Sequence, residues 1–178
     1  MKKMKKILKG AKMIIIKYIS LIGILLISSY LGINKAKDYE NRVKSLTNFQ
    51  SALVMFKSKL EFTYEPIKNI FEDISKVVYG KKDNIFQKVV RSKEEIFTSW
   101  KMAVESEKNF TQEDKEIIKM IGKLLGKTDL KGQVNEIDLG LNLVDKQIKK
   151  AENQMIKNVK LYKTMGIVCG IGICIILI

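Results

Sequence analysis

The chain has 178 residues, is 46% hydrophobic, and sets 33 Lys and Arg against 19 Asp and Glu for a formal net charge of +14. It has no histidine and two cysteines, which removes the usual general base and pH switch and leaves too few ligands for a structural zinc site. That length suits one modest domain, or a smaller one plus membrane segments, and the basic excess favours an anionic neighbour: lipid headgroups, an acidic protein surface or nucleic acid.

Residues 1–12, MKKMKKILKGAK, form a lysine-rich tail. Residues 13–33 follow as an apolar run broken only by Lys17. The run is close to the roughly 20 residues that a spanning helix needs, and Lys17 lies near enough to one end to reach the interface. A secretory signal peptide is the competing reading. No small-x-small cleavage site stands out, however, and the polar region beyond lacks the cysteines of a small secreted domain, so the run reads as an uncleaved anchor.

Residues 34–163 read as one helical domain. Leu46, Phe49, Leu53, Phe56 and Leu60 step by three and four, with Arg42, Lys44, Lys57 and Lys59 on other faces. The chain is expected to turn at Thr63-Tyr64-Glu65-Pro66, because a proline disfavours helix in the residue before it and suits the first turn of the next. Ile67, Ile70, Phe71, Ile74, Val77 and Val78 then line one buried face of a helix that ends at Gly80. A short helix over 83–90 turns Ile85, Phe86 and Val89 inward. Ser92 before Lys93-Glu94-Glu95 reads as a capping box, opening a helix with Ile96, Trp100, Ala103 and Val104 on its apolar side. Thr111 and Asp114 repeat the box for a helix through Ile117, Ile118, Ile121 and Leu125. Gly126 is placed to stop that helix, and Thr128 or Asp129 to cap the last one.

The last helix carries the longest pattern. Leu130, Val134, Ile137, Leu141, Val144, Ile148, Ala151 and Met155 alternate steps of four and three, a seam of heptad type. This seam and that of residues 46–60 are natural partners for an antiparallel pair. Over residues 164–178 the pattern gives way to a run that is apolar on every face and free of proline, so one helix can carry the seam into a bilayer. From Met165 to Ile178 it spans about 21 Å against a hydrocarbon thickness of ~30 Å. Leu161 and Tyr162 lengthen it if Lys163 snorkels. Cys169 and Cys174, five apart on a helix, face different sides and are not expected to pair. Gly166, Gly170 and Gly172 have the spacing that lets membrane helices approach closely, the first anchor being one candidate neighbour. The expected fold is all-α: a compact bundle of about six helices between an N-terminal and a C-terminal membrane segment, with the long last helix continuous with the second segment.

No catalytic constellation stands out. Glu94-Glu95 and Glu113-Asp114 fall in expected first turns, where acids complement the helix dipole. Gly-Lys-Thr at 126–128 lacks the first glycine of a phosphate loop and follows a helix in place of a strand. The lysines are dispersed over several faces with no nucleic-acid-binding motif. The residues call for no cofactor, metal or small-molecule substrate.

Three stretches bear a more specific likeness. IGKLLGKTDLKGQVNEIDL (121–139), the junction KLYKTMGIVCG (160–170) with its apolar terminus, and LTNFQSALVMFKSKLEFTYEPIKNIFEDI (46–74) together resemble the stage III sporulation protein AB family of spore-forming Firmicutes. The likeness runs from about residue 13 to the end. It departs at Ile121, where the family usually has an aromatic, and in the lysine tail before Met13. The resemblance implies a helical domain similar to the cytoplasmic domain of type II secretion and type IV pilus platform proteins. It also implies a non-enzymatic scaffold in the channel complex between mother cell and forespore. Its partners would be a cytoplasmic ATPase, other stage III proteins and membrane lipid, with self-association left open. Carried across residue by residue, it offers Glu61, Tyr64, Gly126, Asp129 and Gln133 as contact or turn positions. The alternative is a basic membrane-surface module that binds anionic lipid or nucleic acid, distinguished by strong salt dependence without a protein partner.

Charge counting opposes that topology. Six lysines at 2, 3, 5, 6, 9 and 12 precede the first apolar run, and Lys35, Lys37, Arg42 and Lys44 follow it. Counted simply, the tail should stay inside and the domain should cross. Translation from Met13, or an orientation set by the second segment with Lys157, Lys160 and Lys163, would restore a cytoplasmic domain.

Overall fold

The computed structural model describes residues 2–63, 65–80, 83–124 and 130–177, with side chains from residue 12 onward except those of 124 and 130. Among these residues the chain forms α1 (Lys2–Phe62), α2 (Ile67–Ile74), a π-helical turn (Ser75–Tyr79), α3 (Ile85–Arg91), α4 (Ile96–Ser106), α5 (Gln112–Leu124) and α6 (Leu130–Leu177), with no strand. The first apolar run and the seam that follows it therefore belong to a single helix of 61 residues. The chain divides into two units, Met1–Glu40 with Gln154–Ile178, and Asn41–Asn153. Gly126, Leu125, Thr128 and Asp129, expected to end α5 and cap α6, lie outside the described residues, as does Tyr64.

In the first unit α1 and α6 lie antiparallel. The Ser28 hydroxyl donates to the Gly166 carbonyl at 2.6 Å and the Cys174 thiol to the Leu21 carbonyl at 3.4 Å. Tyr39 stacks on Tyr162 with ring centroids 5.8 Å apart. Glycines set this closeness. A Cβ on Gly32 would lie 2.5 Å from the Tyr162 carbonyl oxygen, and one on Gly166 would lie 2.8 Å from the Ser28 carbonyl oxygen. Backbone atoms, unlike side-chain tips, have no rotamer by which to move aside. Gly170 also faces α1, whereas Gly172 meets nothing within 4 Å. Of the glycines singled out by spacing, two thus serve the contact between the chain's own helices, and Gly32 completes it. Gly166→Leu is expected to cost roughly 1–3 kcal/mol of packing. Oxidative cross-linking of Leu21→Cys to the native Cys174 measures this: it should be efficient alone and largely lost with Gly166→Leu.

Both α1 and α6 are long and apolar enough to cross a membrane. In the most apolar window of α1 0% of the residues are buried, and in that of α6 11%. Met13, Ile16, Ile19, Ile22 and Leu26 each stand more than half exposed. These segments are not the core of a soluble bundle.

The second unit holds the core. Leu46, Phe49, Leu53, Phe56 and Leu60 of α1 are all buried, as are Ile137, Val144, Ile148 and Ala151 of α6; Val134, Leu141 and Met155 of the seam, Met155 belonging to the first unit, are half-buried. Between them sits an aromatic cluster in which Phe71, Phe86 and Trp100 lie 5.2–5.7 Å apart by ring centroid. Phe49 and Phe56 of α1 border it. The Trp100 indole donates to the Ile118 carbonyl at 2.8 Å, joining α4 to α5. A Cβ on Gly122 would clash with the five-membered ring of that indole. Gly122 is therefore a packing residue.

Three expectations are corrected by the packing. The helix from Ile67 does not keep its α-period to Gly80. The wider turn over Ser75–Tyr79 adds a residue per turn, so Val77 points to solvent at 72% exposed, and Tyr79 reaches Phe86 with centroids 6.0 Å apart. Gly80, at φ +63°, ends the turn in a conformation that glycine adopts without strain. Ser92 closes α3 instead of capping α4. Its hydroxyl accepts from the Glu94 amide, two residues on, and from the Ser99 hydroxyl, so the chain makes a tight turn before α4 begins at Ile96, leaving Glu94-Glu95 ahead of its first turn. Arg42 is buried, although its place off the α1 seam suggested solvent. The Thr111–Asp114 box forms as expected, with the Thr111 amide donating to Asp114 Oδ2 and the Asp114 amide to the Thr111 hydroxyl.

Candidate partner-binding end of the bundle

The C-terminal end of α1 is fastened on two sides. Thr63 donates from its amide and its hydroxyl to the Lys59 carbonyl, at 2.8 and 2.7 Å, and closes the helix. Lys59 reaches Asp73 on α2 and lies 3.6 Å from Glu65. The hydrogen bond that Lys59 donates to Asp73 holds its ammonium above the ordinary lysine value, and the same bond holds the Asp73 carboxyl below its own. Lys57 sits 2.7 Å from both oxygens of Asp138 on α6 and is raised by that bond.

These pairs tie the end to α6 and α2, and Glu61 and Phe62 stay outward. Glu61 is exposed, and Phe62, the last helical residue, is 81% exposed. Aromatic side chains are enriched among the residues that anchor interfaces, which makes this bare ring the candidate contact of the helix end. Gln133, in the first turn of α6 and half-buried, stands five residues before Asp138. It therefore shares this end of the α1–α6 pair with Glu61, one turn beyond Lys57. Glu61 and Gln133 are thus brought to one end of the unit; Tyr64, Gly126 and Asp129 lie outside the described residues. Sequence reading missed Phe62, whose one signal was a large apolar residue off the seam beside the Thr63–Pro66 turn.

Elsewhere the polar groups serve structure. Arg42 Nε and Nη2 donate to Asp114 Oδ2 and Oδ1 at 2.8 and 2.9 Å, and Nη2 reaches Gln147 Oε1 at 3.3 Å. Gln147 donates to Glu113, which also pairs with Lys150. Burial disfavours the charged form of Asp114, but the Arg42 guanidinium and the Thr111 amide and hydroxyl outweigh it and hold the carboxyl below the usual range. A cleft of about 210 Å³ is lined by Asn41, Asn48, Asn84 and Asn109 with Lys44 and Tyr79. Burial, assisted by Glu107, keeps the Tyr79 phenol protonated well above its usual range. The cleft's two acids, Asp83 and Glu107, both pair with Lys88, so neither is placed as a free base. Among the described residues no three or more Cys, Asp or Glu are grouped to hold a metal.

Residues 17–178 match the family described as stage III sporulation protein AB (spore_III_AB). A stage III sporulation protein AB from Bacillus subtilis (strain 168) is 20% identical over 169 residues, covering 91% of this chain and 99% of that protein. No solved structure gives a match. With nine-tenths of its length matched, including most of the first apolar segment, all of the second and the 121–139 stretch, the chain belongs to the stage III sporulation protein AB family.

Proposed function

We propose that this protein is a non-enzymatic scaffold of the sporulation channel between mother cell and forespore. In this reading residues 13–33 and 164–178 anchor it in the outer forespore membrane, residues 1–12 remain a basic tail, and the helical domain of residues 34–163 projects into the mother-cell cytoplasm. There it couples a cytoplasmic ATPase to membrane components of the complex. The observation that carries the reading is the exposed Glu61–Phe62 end of α1, tied to α6 and α2 by Lys57–Asp138 and Lys59–Asp73, in a chain that also carries two apolar helical segments long enough to cross a membrane.

A protease site inserted after Gly80, in the turn between α2 and α3, tests the orientation in sporulating cells. Cleavage from the mother-cell cytoplasmic side supports the assignment; cleavage only from the opposite side would condemn it. The partner contact is tested by co-purification with the stage III ATPase. Phe62→Asp should lower recovery about tenfold or more, as loss of an aromatic anchor does at ~1.4 kcal/mol per decade. Melting should change little, since the ring is 81% exposed. Undiminished recovery of the ATPase by Phe62→Asp would place the contact elsewhere.

A further inference from the structure

The first unit carries a groove at the foot of the apolar segment of α6. It is about 420 Å³ in volume, has a floor of Met155, Ile156 and Val159, and is flanked by Lys160 and Lys163 of α6 and Glu40 of α1. Ile156 stands 71% exposed, and Met155 and Val159 are half-buried. α6 is therefore still apolar at a level where α1, packed antiparallel to it, has turned polar with Lys35, Lys37, Asp38 and Glu40.

The charges around the groove do not cancel. Lys35 pairs with Asp38, and Lys163 lies 3.4 Å from Glu40. Lys37, Lys157 and Lys160 pair with no acid among the described residues. This level of the unit thus carries an excess of positive charge, and it favours an anion.

Position says which anion. Lys163 directly precedes the apolar run of residues 164–178. From Thr164 back to Val159 is about 8 Å of helix, close to the roughly 5–8 Å depth of one headgroup layer. Helical side chains lean toward the helix N-terminus, which for α6 is the end away from the apolar run. Both ammonium groups therefore reach into the headgroup layer, while their stems and Val159 keep its inner side apolar. A soluble anion or a nucleic acid would use the lysines and leave that apolar surface bare. A lipid with an anionic headgroup uses both.

We propose that the groove holds an anionic phospholipid, its phosphate between Lys160 and Lys163 and its ester and upper chain carbons on Val159 and the lysine stems. The proposal rests on residues 13–33 and 164–178 being membrane anchors, as proposed above. A zwitterionic headgroup brings a cation to the same lysines and gains less. Glu40 is the one acid that flanks the groove, so it weakens the site.

The test uses the full chain reconstituted in phosphatidylcholine vesicles that hold a small fraction of spin-labelled lipid. The fraction of label immobilised by the protein reads the association. Spin-labelled phosphatidylglycerol should be preferred over spin-labelled phosphatidylcholine by roughly tenfold, at about fivefold for each lysine near a headgroup. Lys160→Gln with Lys163→Gln should abolish most of that preference, and the corresponding pair of arginine substitutions should keep it. Lys101→Gln with Lys146→Gln removes as much charge from the other unit and should change little. Val159→Thr, which alters no charge, should lower the preference about twofold, and Glu40→Gln should raise it. Added glycerol 3-phosphate should not compete, since it lacks the chains. Equal loss from both lysine pairs means general attraction and overturns the proposal, as does competition by the soluble phosphate. In native membranes a photo-crosslinking amino acid at position 156 should label phospholipid; labelling of protein alone would give the groove to an acidic partner and also overturn it. Alkaline extraction of the same vesicles reads the anchoring separately. A chain that is extracted fails as an anchored protein, whereas one that stays without lipid preference fails only at the groove.

Discussion

Arg42→Met is expected to destabilise the helical unit by about 3–5 kcal/mol, the usual cost of stranding one partner of a buried ion pair. Arg42 and Asp114 are 6% and 1% exposed, so water cannot replace the guanidinium that takes both carboxylate oxygens. The pair also joins α1 to α5, and through Gln147 to α6, so three helices lose a shared fastening. The double variant Arg42→Met with Asp114→Asn should recover most of the loss. A neutral carboxamide can still accept the Thr111 amide bond but no longer carries a buried charge. Thermal melting of the four proteins in a double-mutant cycle measures this, and equal melting of Arg42→Met and the parent would mean the pair contributes nothing.

The same pair gives a pH dependence of definite sign. Asp114 titrates below its unfolded value because Arg42 and Thr111 outweigh the effect of burial. Its contribution to stability is then fully present above the ordinary aspartate range near ~3.9 and is lost as pH falls through the folded value. Melting temperature should drop in acid more steeply for the parent than for Asp114→Asn.

Gly122→Val should be nearly as damaging, at roughly 1–3 kcal/mol or more from overpacking. Gly is normally a weak helix former, and replacing it usually helps by up to ~1 kcal/mol. Here the added Cβ would occupy the place of the Trp100 indole. That ring is fully buried, touches Phe49, Phe71 and Phe86, and donates to the Ile118 carbonyl. It must move, and the aromatic cluster moves with it. Trp100 is the single tryptophan of the chain, so its fluorescence reports the site directly. A red-shifted emission with a lowered melting temperature is the expected result. Gly172→Ala, which meets open space, should leave both unchanged.

Local periodicity alone determined much of this protein. The seams of α1 and α6, the Thr111–Asp114 box, the apolar ends and the inward faces of α3, α4 and α5 were legible because each depends on residues three or four apart. Burial on one side of a helix forces that period whatever the partner. The family too was legible, from the stretch at 121–139 and the 160–170 junction. Tertiary structure decided what lies beyond a turn or two. Arg42 finds Asp114 72 positions away, Gly32 lies against Gly166, and Gly122 makes room for Trp100, none of which a local pattern encodes. The π-helical turn also belongs here, since it costs local regularity and is held by the place it gives Tyr79 on Phe86. The exposed Phe62 shows the same limit: it lies off the seam beside a turn, and only the packing shows that it is left outside.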